Sequence, residues 1–335
     1  MMVEIEDRKG RFLLLLSAAL AVILFFSGCG MKKMGESAVP GESYMVTDGF
    51  GNSVAIPHKP VRILGTSSSI DTMLLGVVEP SRLAACFVAD QDPSISYIAE
   101  ETKNMEVVVP LNGISMEVLT KVRPDLIVAS SYTKPKELEM WRNLGYPVVM
   151  VDGPKSIAQA EKDVQIIAAA VGEKERGDRV VAEMERQLAE VDTALKARTG
   201  QPPVAMLVSQ MSRYGGPGSM YHELLTRAGI RNAFEKAGVS NGQLLSQELM
   251  VKADPDFFFV SKDRVSDETG AGKYKEEFFA NPAVQNMRAF HDIRPLDDRY
   301  IYAASQNCVF AVKAMANAAY GTLFDMSGEK QIKGF

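Results

Sequence analysis

The chain is short of the residues that staple small exported domains or build metal sites. Its 335 residues include three cysteines, three histidines and one tryptophan. Three cysteines make no disulfide framework. His58, His222 and His291 belong to no triad or HExxH pattern. A bare Zn²⁺ or Mn²⁺ site needs several converging N, S or O ligands, which three scattered histidines do not supply. Positive charge is also scarce. The formal net charge is −5 and no basic cluster interrupts it, which excludes a nucleic-acid partner. "GAGKY" at 270–274 lacks the Ser or Thr of a P-loop, and Ser219 in "YGGPGSMY" lacks the G-x-S-x-G frame. No nucleophile, base and orienter stand together, so catalysis is not expected. A long apolar run is missing too. The longest, residues 12–26, is shorter than the ~20 residues that span a bilayer core.

That run is nevertheless informative. Arg8, Lys9 and Arg11 precede it, and it closes on Phe25-Phe26-Ser27-Gly28-Cys29. Basic, then apolar, then small is the layout of an export signal. "FSGC" resembles the lipobox of bacterial lipoproteins. The resemblance implies cleavage before Cys29 and a diacylglyceryl group on its thiol; an uncleaved membrane anchor is the alternative. Residues 1–28 are therefore expected to be a signal peptide. Residues 29–45, polar and without periodicity, are expected to be a flexible tether on the extracytoplasmic face of a bacterial membrane.

From residue 61 onward, short apolar runs alternate with helical patterns. Strands are expected over residues 61–64, 83–87, 106–109, 126–129 and 148–151, with helices at 71–75, 116–122 and 135–144 between them. The style returns with strands at 204–208, 257–260 and 300–303 and helices at 220–228, 247–251 and 309–323. Such alternation predicts an α/β fold with mostly parallel sheets. "VTDGFGNSVAI" ahead of it reads as a hairpin turning at residues 49–52. A helix with Ile157, Val164, Ile167 and Val171 on one face precedes Gly172. Then Val180, Met184, Leu188, Val191 and Leu195 repeat at helical spacing over residues 174–198. The expected organisation is an N-terminal lobe (46–172), a bridging helix (173–200) and a C-terminal lobe (201–335).

One segment occurs twice. "SMEVLTKVRPDLIVAS" (115–130) and "SQELMVKADPDFFFVS" (246–261) align without a gap, sharing Ser, Glu, Lys, Pro, Asp and the final Ser. Each describes a Ser-capped helix, an acid in its first turn, a Pro-Asp break and a buried strand. The acids are Glu117 and Glu248. By itself, an acid there suits the helix dipole, worth about 0.3–1 kcal/mol. The ordered set of lipobox, "VTDGFGNSVAIPHKPVRIL", the repeated segment, the long helix and "YHELLTRAGIRNAF" resembles the helical-backbone class of solute-binding proteins of ABC importers. That group binds ferric siderophores, haem and corrinoids. The resemblance implies two similar α/β lobes joined by one long helix, with a ligand cleft between them. It also implies a monomer that works with a transmembrane permease and its cytoplasmic ATPase. Glu117 and Glu248 would then dock arginines of the permease, one on each lobe. Cys86 and Cys308 would lie in opposite lobes and stay unpaired.

Ligands of open α/β sheets bind beyond the carboxyl ends of the strands. Applied here, that rule selects Ser67, Ser68, Ser69, Asp90, Asn112, Ser131 and Tyr132 in the first lobe. In the second it selects Arg213, Tyr214, Gly216, Ser219, Met220, Lys262 and Gln306. The set is rich in hydroxyls, amides, Met and Tyr. Its nearest cations are Lys134, Arg213, Lys262 and Arg264, too few for a strongly anionic chelate. The expected cargo is a neutral ferric siderophore or a corrinoid, with haem close behind. No intrinsic cofactor is expected. An extracytoplasmic α/β enzyme or sensor on the same scaffold, and a bare-metal carrier, are the alternatives.

Overall fold

The computed structural model describes residues 41–110, 113–209, 211–262 and 273–335. The expected signal peptide, Cys29, Asn112 and Arg264 lie outside the described residues. The chain begins with a hairpin of β1 (Tyr44–Thr47) and β2 (Ser53–Ile56). Its turn is built by Asp48, whose Oδ1 accepts the backbone N–H of Phe50 and of Asn52, both at 2.9 Å.

The first α/β half follows as β3 (Ile63–Gly65), α1 (Ser68–Val77), β4 (Cys86–Phe87), α2 (Ala99–Thr102), β5 (Val108–Val109), α3 (Met116–Val122), β6 (Leu126–Ser130), α4 (Pro135–Asn143) and β7 (Val148–Val151). Strands β3, β6 and β7 form one parallel sheet with β6 in the middle, and β4 pairs parallel with β5. Two helices come next, α5 (Ile157–Ala170) and α6 (Lys174–Lys196). Gly177 lets them touch, since a Cβ there would stand 2.4 Å from that of Ala168.

The second half runs β8 (Val204–Val208), α7 (Met220–Arg227), β9 (Arg231–Asn232), α8 (Ala233–Lys236), α9 (Gln247–Ala253), β10 (Phe257–Ser261), α10 (Lys273–Phe279), α11 (Pro282–Gln285), β11 (Ile293–Leu296), α12 (Asp298–Ile301) and α13 (Cys308–Tyr320). Its sheet is parallel, in the order β11-β10-β8-β9. The expected strand at 300–303 is wrong. Residues 298–301 form α12, and the strand is Ile293–Leu296. Pro295 disguised it, because proline is tolerated in a sheet only where its missing N–H does no harm, here on the edge strand.

Alternation along the strands decides how the halves are held. On β6, Leu126 and Val128 join a large central core, while Ile127 and Ala129 face a core private to the first half, with Trp141. On β10, Phe257 and Phe259 join the same central core, while Phe258 and Val260 face a core private to the second half. The central core is filled by Met73 and Leu74 of α1, Val164 and Ile167 of α5, Val180, Met184, Leu188 and Val191 of α6, and Val309, Val312 and Met315 of α13. Cys86 and Cys308 are both free and buried in it. The described residues therefore form one compact unit with an α/β fold and mostly parallel sheets.

The repeated segment has the same structure in both copies. Ser115 caps α3 by accepting the Val118 N–H, and Ser246 caps α9 by accepting the Leu249 N–H, each at 3.2 Å. Both helices end on a left-handed residue, Arg123 at φ 41° and Asp254 at φ 42°. The Asp of each Pro-Asp pair then grips the neighbouring strand. Asp125 accepts the N–H groups of Val61 and Arg62 at 2.8 and 3.0 Å, and Asp256 accepts that of Val204 at 2.6 Å. Each carboxylate thus fixes the start of a parallel pair, β3 with β6 and β8 with β10. Replacing Asp125 or Asp256 by Ala removes charge-assisted hydrogen bonds, and each should cost about 1.5–3 kcal/mol of stability. Urea unfolding of the two variants checks this; a loss in only one would mean the repeats are not physically equivalent.

Candidate functional site

Two helix starts meet between the halves. Ser67 caps α1 by accepting the Ile70 N–H at 3.4 Å, just beyond β3. Ser219 caps α7 by accepting the His222 N–H at 3.1 Å and donating to the Gly216 carbonyl at 2.7 Å. Both serines line a cavity of about 490 Å³. Its remaining wall is largely apolar: Ile70, Met73 and Val151 from the first half, Met211, Tyr214, Met220 and Tyr302 from the second. A smaller cavity of about 340 Å³ adjoins it, and Ser69, Met211, Tyr302 and Ala304 border both. The smaller one is more polar, with Ser68, Thr72, Ser96, Tyr97, Asp298 and Arg299. Together they form a cleft beyond the carboxyl ends of both parallel sheets, where the strand-end rule places ligands.

Tyrosines dominate the larger chamber. Tyr214 lies 5.6 Å from Tyr302 and 6.4 Å from Tyr221, ring centre to ring centre. The Tyr214 hydroxyl donates to the Ile301 carbonyl at 3.3 Å, and Tyr302 shares a hydrogen bond with Ser209 at 2.7 Å. Burial holds the Tyr214 phenol well above its ordinary pKa, so it stays neutral and serves as a wall. Tyr132 is the opposite case, 72% exposed at the mouth. Its ring rests on Gly153, where a Cβ would stand 2.7 Å from the ring edge and where φ is +83°. Gly153 is itself held by Asp163, which accepts its N–H at 3.2 Å.

Beneath the smaller chamber lies a pair of acids. Asp71 on α1 is fully buried beside Asp90, which accepts the Phe87 N–H at 2.7 Å. Asp71 presses on Gly65, where a Cβ would stand 2.0 Å from its Oδ1. Burial first, then the neighbouring carboxylate, pushes Asp71 well above its ordinary 3.8; burial also raises Asp90. The thiol of Cys86 beside them is pushed up to about 12 by burial, with Asp90 and Asp71 adding to it.

The structure brings part of the expected set together. Ser67, Ser68, Ser69, Tyr132, Tyr214, Ser219 and Met220 line the two chambers. Asp90 touches the smaller one only as a buried floor, not as an exposed contact. Arg213 borders a shallow outer pocket and donates to the Gly242 carbonyl at 3.0 Å. Ser131 turns to the Asp152 carbonyl, and Lys262 to Asp297 at 3.3 Å. Gly216 packs on backbone, since a Cβ there would stand 2.7 Å from the Val239 carbonyl. Gln306 is fully buried, donating to the Thr72 carbonyl at 2.9 Å. None of these five lines either chamber. Arg299 and Lys155, which do, were missed. Arg299 sits on the helix mistaken for a strand, and nothing local to the sequence marks Lys155.

With this geometry, the chain belongs to the periplasmic binding protein family, whose profile matches residues 64–292. Among curated relatives, the vitamin B12-binding protein of Salmonella choleraesuis (strain SC-B67) is 23% identical over 246 residues, covering 72% of this chain and 88% of its own. Among solved structures, the periplasmic haem-binding protein RhuT of Roseiflexus sp. RS-1 superposes with a TM-score of 0.65 at 21% identity, over 77% of this chain and 98% of that one. A possible iron-binding periplasmic protein of Staphylococcus epidermidis gives 0.65 at 18% identity, over 78% and 99%. Likeness at such identity is likeness of fold.

The acid pair makes stability depend on pH. A carboxyl whose folded pKa lies above its unfolded one adds stability in full below the unfolded value of 3.8, and loses it as pH rises through the folded value. Asp71→Asn keeps the neutral form throughout. Its melting temperature should exceed that of the wild type near pH 8, with the gap closing towards about pH 4. Parallel melting curves across that range would contradict a raised pKa at Asp71.

Proposed function

We propose that the chain is the solute-binding component of an ABC importer, taking up an iron chelate, haem or a corrinoid and handing it to a permease. The observation that carries this is the cleft itself. It is apolar, walled by tyrosine and methionine, capped from both sides by serine hydroxyls, and placed where two parallel sheets end. Such a lining suits a large, partly apolar complex oriented by a few donors. The named ligands of the relatives, vitamin B12 and haem, are both metal–macrocycle complexes. Its role is capture and delivery rather than catalysis.

Glu117 and Glu248 fit the docking role. Each is exposed in the first turn of a Ser-capped helix, one in each half, at equivalent places of the repeat. We assign 46–172 and 201–335 to the two lobes, and Cys29 to a lipid anchor on the outer side of a membrane. No described helix is long and apolar enough to cross one.

Four outcomes are expected. Titrating the protein with ferric protoporphyrin IX, cyanocobalamin and a neutral ferric hydroxamate should give a saturable difference spectrum with at least one. Tyr132→Ala should weaken that binding about tenfold, or ~1.4 kcal/mol. Silence with all three would remove the assignment. Glu117→Ala with Glu248→Ala should leave binding intact and lower uptake in vesicles reconstituted with the permease, with the deficit against wild type shrinking at high salt, where those charges are screened. Uptake equal to wild type would leave helix capping as their whole role. Cys29→Ser should block processing by the lipoprotein peptidase; a variant that is processed and membrane-bound like wild type would refute the anchor.

A further inference from the structure

The last residues of the described chain do more than finish α13. Residues 325–335 have no regular secondary structure, yet they bond alternately to one half and the other. On the second half, the Tyr300 hydroxyl donates to Glu329 at 2.7 Å, and the Ile332 N–H donates to Asn307 Oδ1 at 3.0 Å. On the first half, Gln331 donates to the Thr72 carbonyl at 3.0 Å, Lys333 meets Glu101 at 2.6 Å, and the Gly334 N–H donates to the Gly76 carbonyl at 2.9 Å. Arg179 of the long helix α6 donates to the Gly334 carbonyl at 2.6 Å. The Ile332 side chain is buried in the central core.

These bonds converge behind the cleft. Helix α1 carries Ser67, Ser68, Ser69 and Thr72 into the two chambers from the first half. Its Thr72 carbonyl receives two amide donors, Gln306 from the second half and Gln331 from the strap. Gly76, one turn on, makes room for them: a Cβ there would stand 2.5 Å from Gln306 Nε2 and 3.3 Å from the Ile332 carbonyl. Gly334 is equally committed, since its Cβ would stand 2.2 Å from the Arg176 carbonyl.

We propose that residues 329–334 and Gln306 are positioning residues for the cleft. They strap α1 to the second half and fix the separation of the two walls, in addition to the shared core. The inference does not depend on what the cleft holds.

Spin-label distances in the full chain test it. Lys136 on α4 and Lys252 on α9 are exposed and lie on opposite halves. Both are changed to Cys in a Cys29→Ser background; Cys86 and Cys308 are buried and resist labelling. The parent should give a single narrow distance. Gln331→Ala with Lys333→Ala should widen that distribution at least about twofold while far-ultraviolet dichroism stays native. Gly334→Ala should do the same without changing charge, and Lys333→Arg should keep the narrow distance. A distribution as narrow as the parent's in both loosening variants would overturn the proposal. So would widening seen only where the dichroism has collapsed, since that assigns the strap to folding alone.

Discussion

Everything in this molecule leans on one packing event, the meeting of two sheets' inner faces on a common set of helices. Leu126 and Val128 of β6 and Phe257 and Phe259 of β10 belong to one core, though they come from separate sheets. Helices α1, α5, α6 and α13 lie between them and carry their apolar stripes into that space. Apolar area removed from water is the dominant favourable term in folding, and here it is largely common property. The halves are accordingly not two beads on a helical rod. The cleft is what remains open where this shared core ends and the loops beyond the strands begin.

That arrangement explains the character of the cleft. Loops that leave the carboxyl ends of strands turn into helices, and a helix start needs an acceptor for its free N–H groups. Ser67 and Ser219 provide it, and so bring hydroxyls and helix N-termini to a chamber otherwise lined by Tyr and Met. Polar groups in the cleft are thus partly a by-product of helix capping. Arg299 stands apart from that logic. It donates across the cleft to the Pro93 carbonyl at 2.6 Å, joining one wall to the other at the rim of the smaller chamber.

Local chemistry was readable in the amino-acid sequence wherever it repeats or is periodic. The long helix shows in the spacing from Val180 to Val191, and the paired Ser-x-Glu…Pro-Asp segments show in their identities. The loops bearing Ser67, Tyr132, Tyr214 and Ser219 followed from strand ends alone. Long-range partners were not readable. Gln306 looks like any amide in a loop, and only its placement against Thr72 and Ile332 reveals a tie. Asp90 looks like a solvated acid, and only its burial beside Asp71 reveals a carboxyl held above its ordinary pKa. Pro295 argued against a strand that exists because its sheet has an edge there. In each case the deciding contact comes from residues far away in the chain.

The shared core also has a consequence for how the protein comes into being. Strands β3, β6 and β7 and helices α1 and α5 can assemble once the first half has left the ribosome. Asp125 can already hold Val61 and Arg62 in register. Their inner face cannot be covered, however, until Ala205, Leu207, Phe257, Phe259 and the apolar side of α13 arrive. During that interval a broad apolar surface faces water, which is the condition under which partly folded chains associate wrongly. A nascent chain of this design therefore gains from a holding partner, or from being kept unfolded until all of it is available.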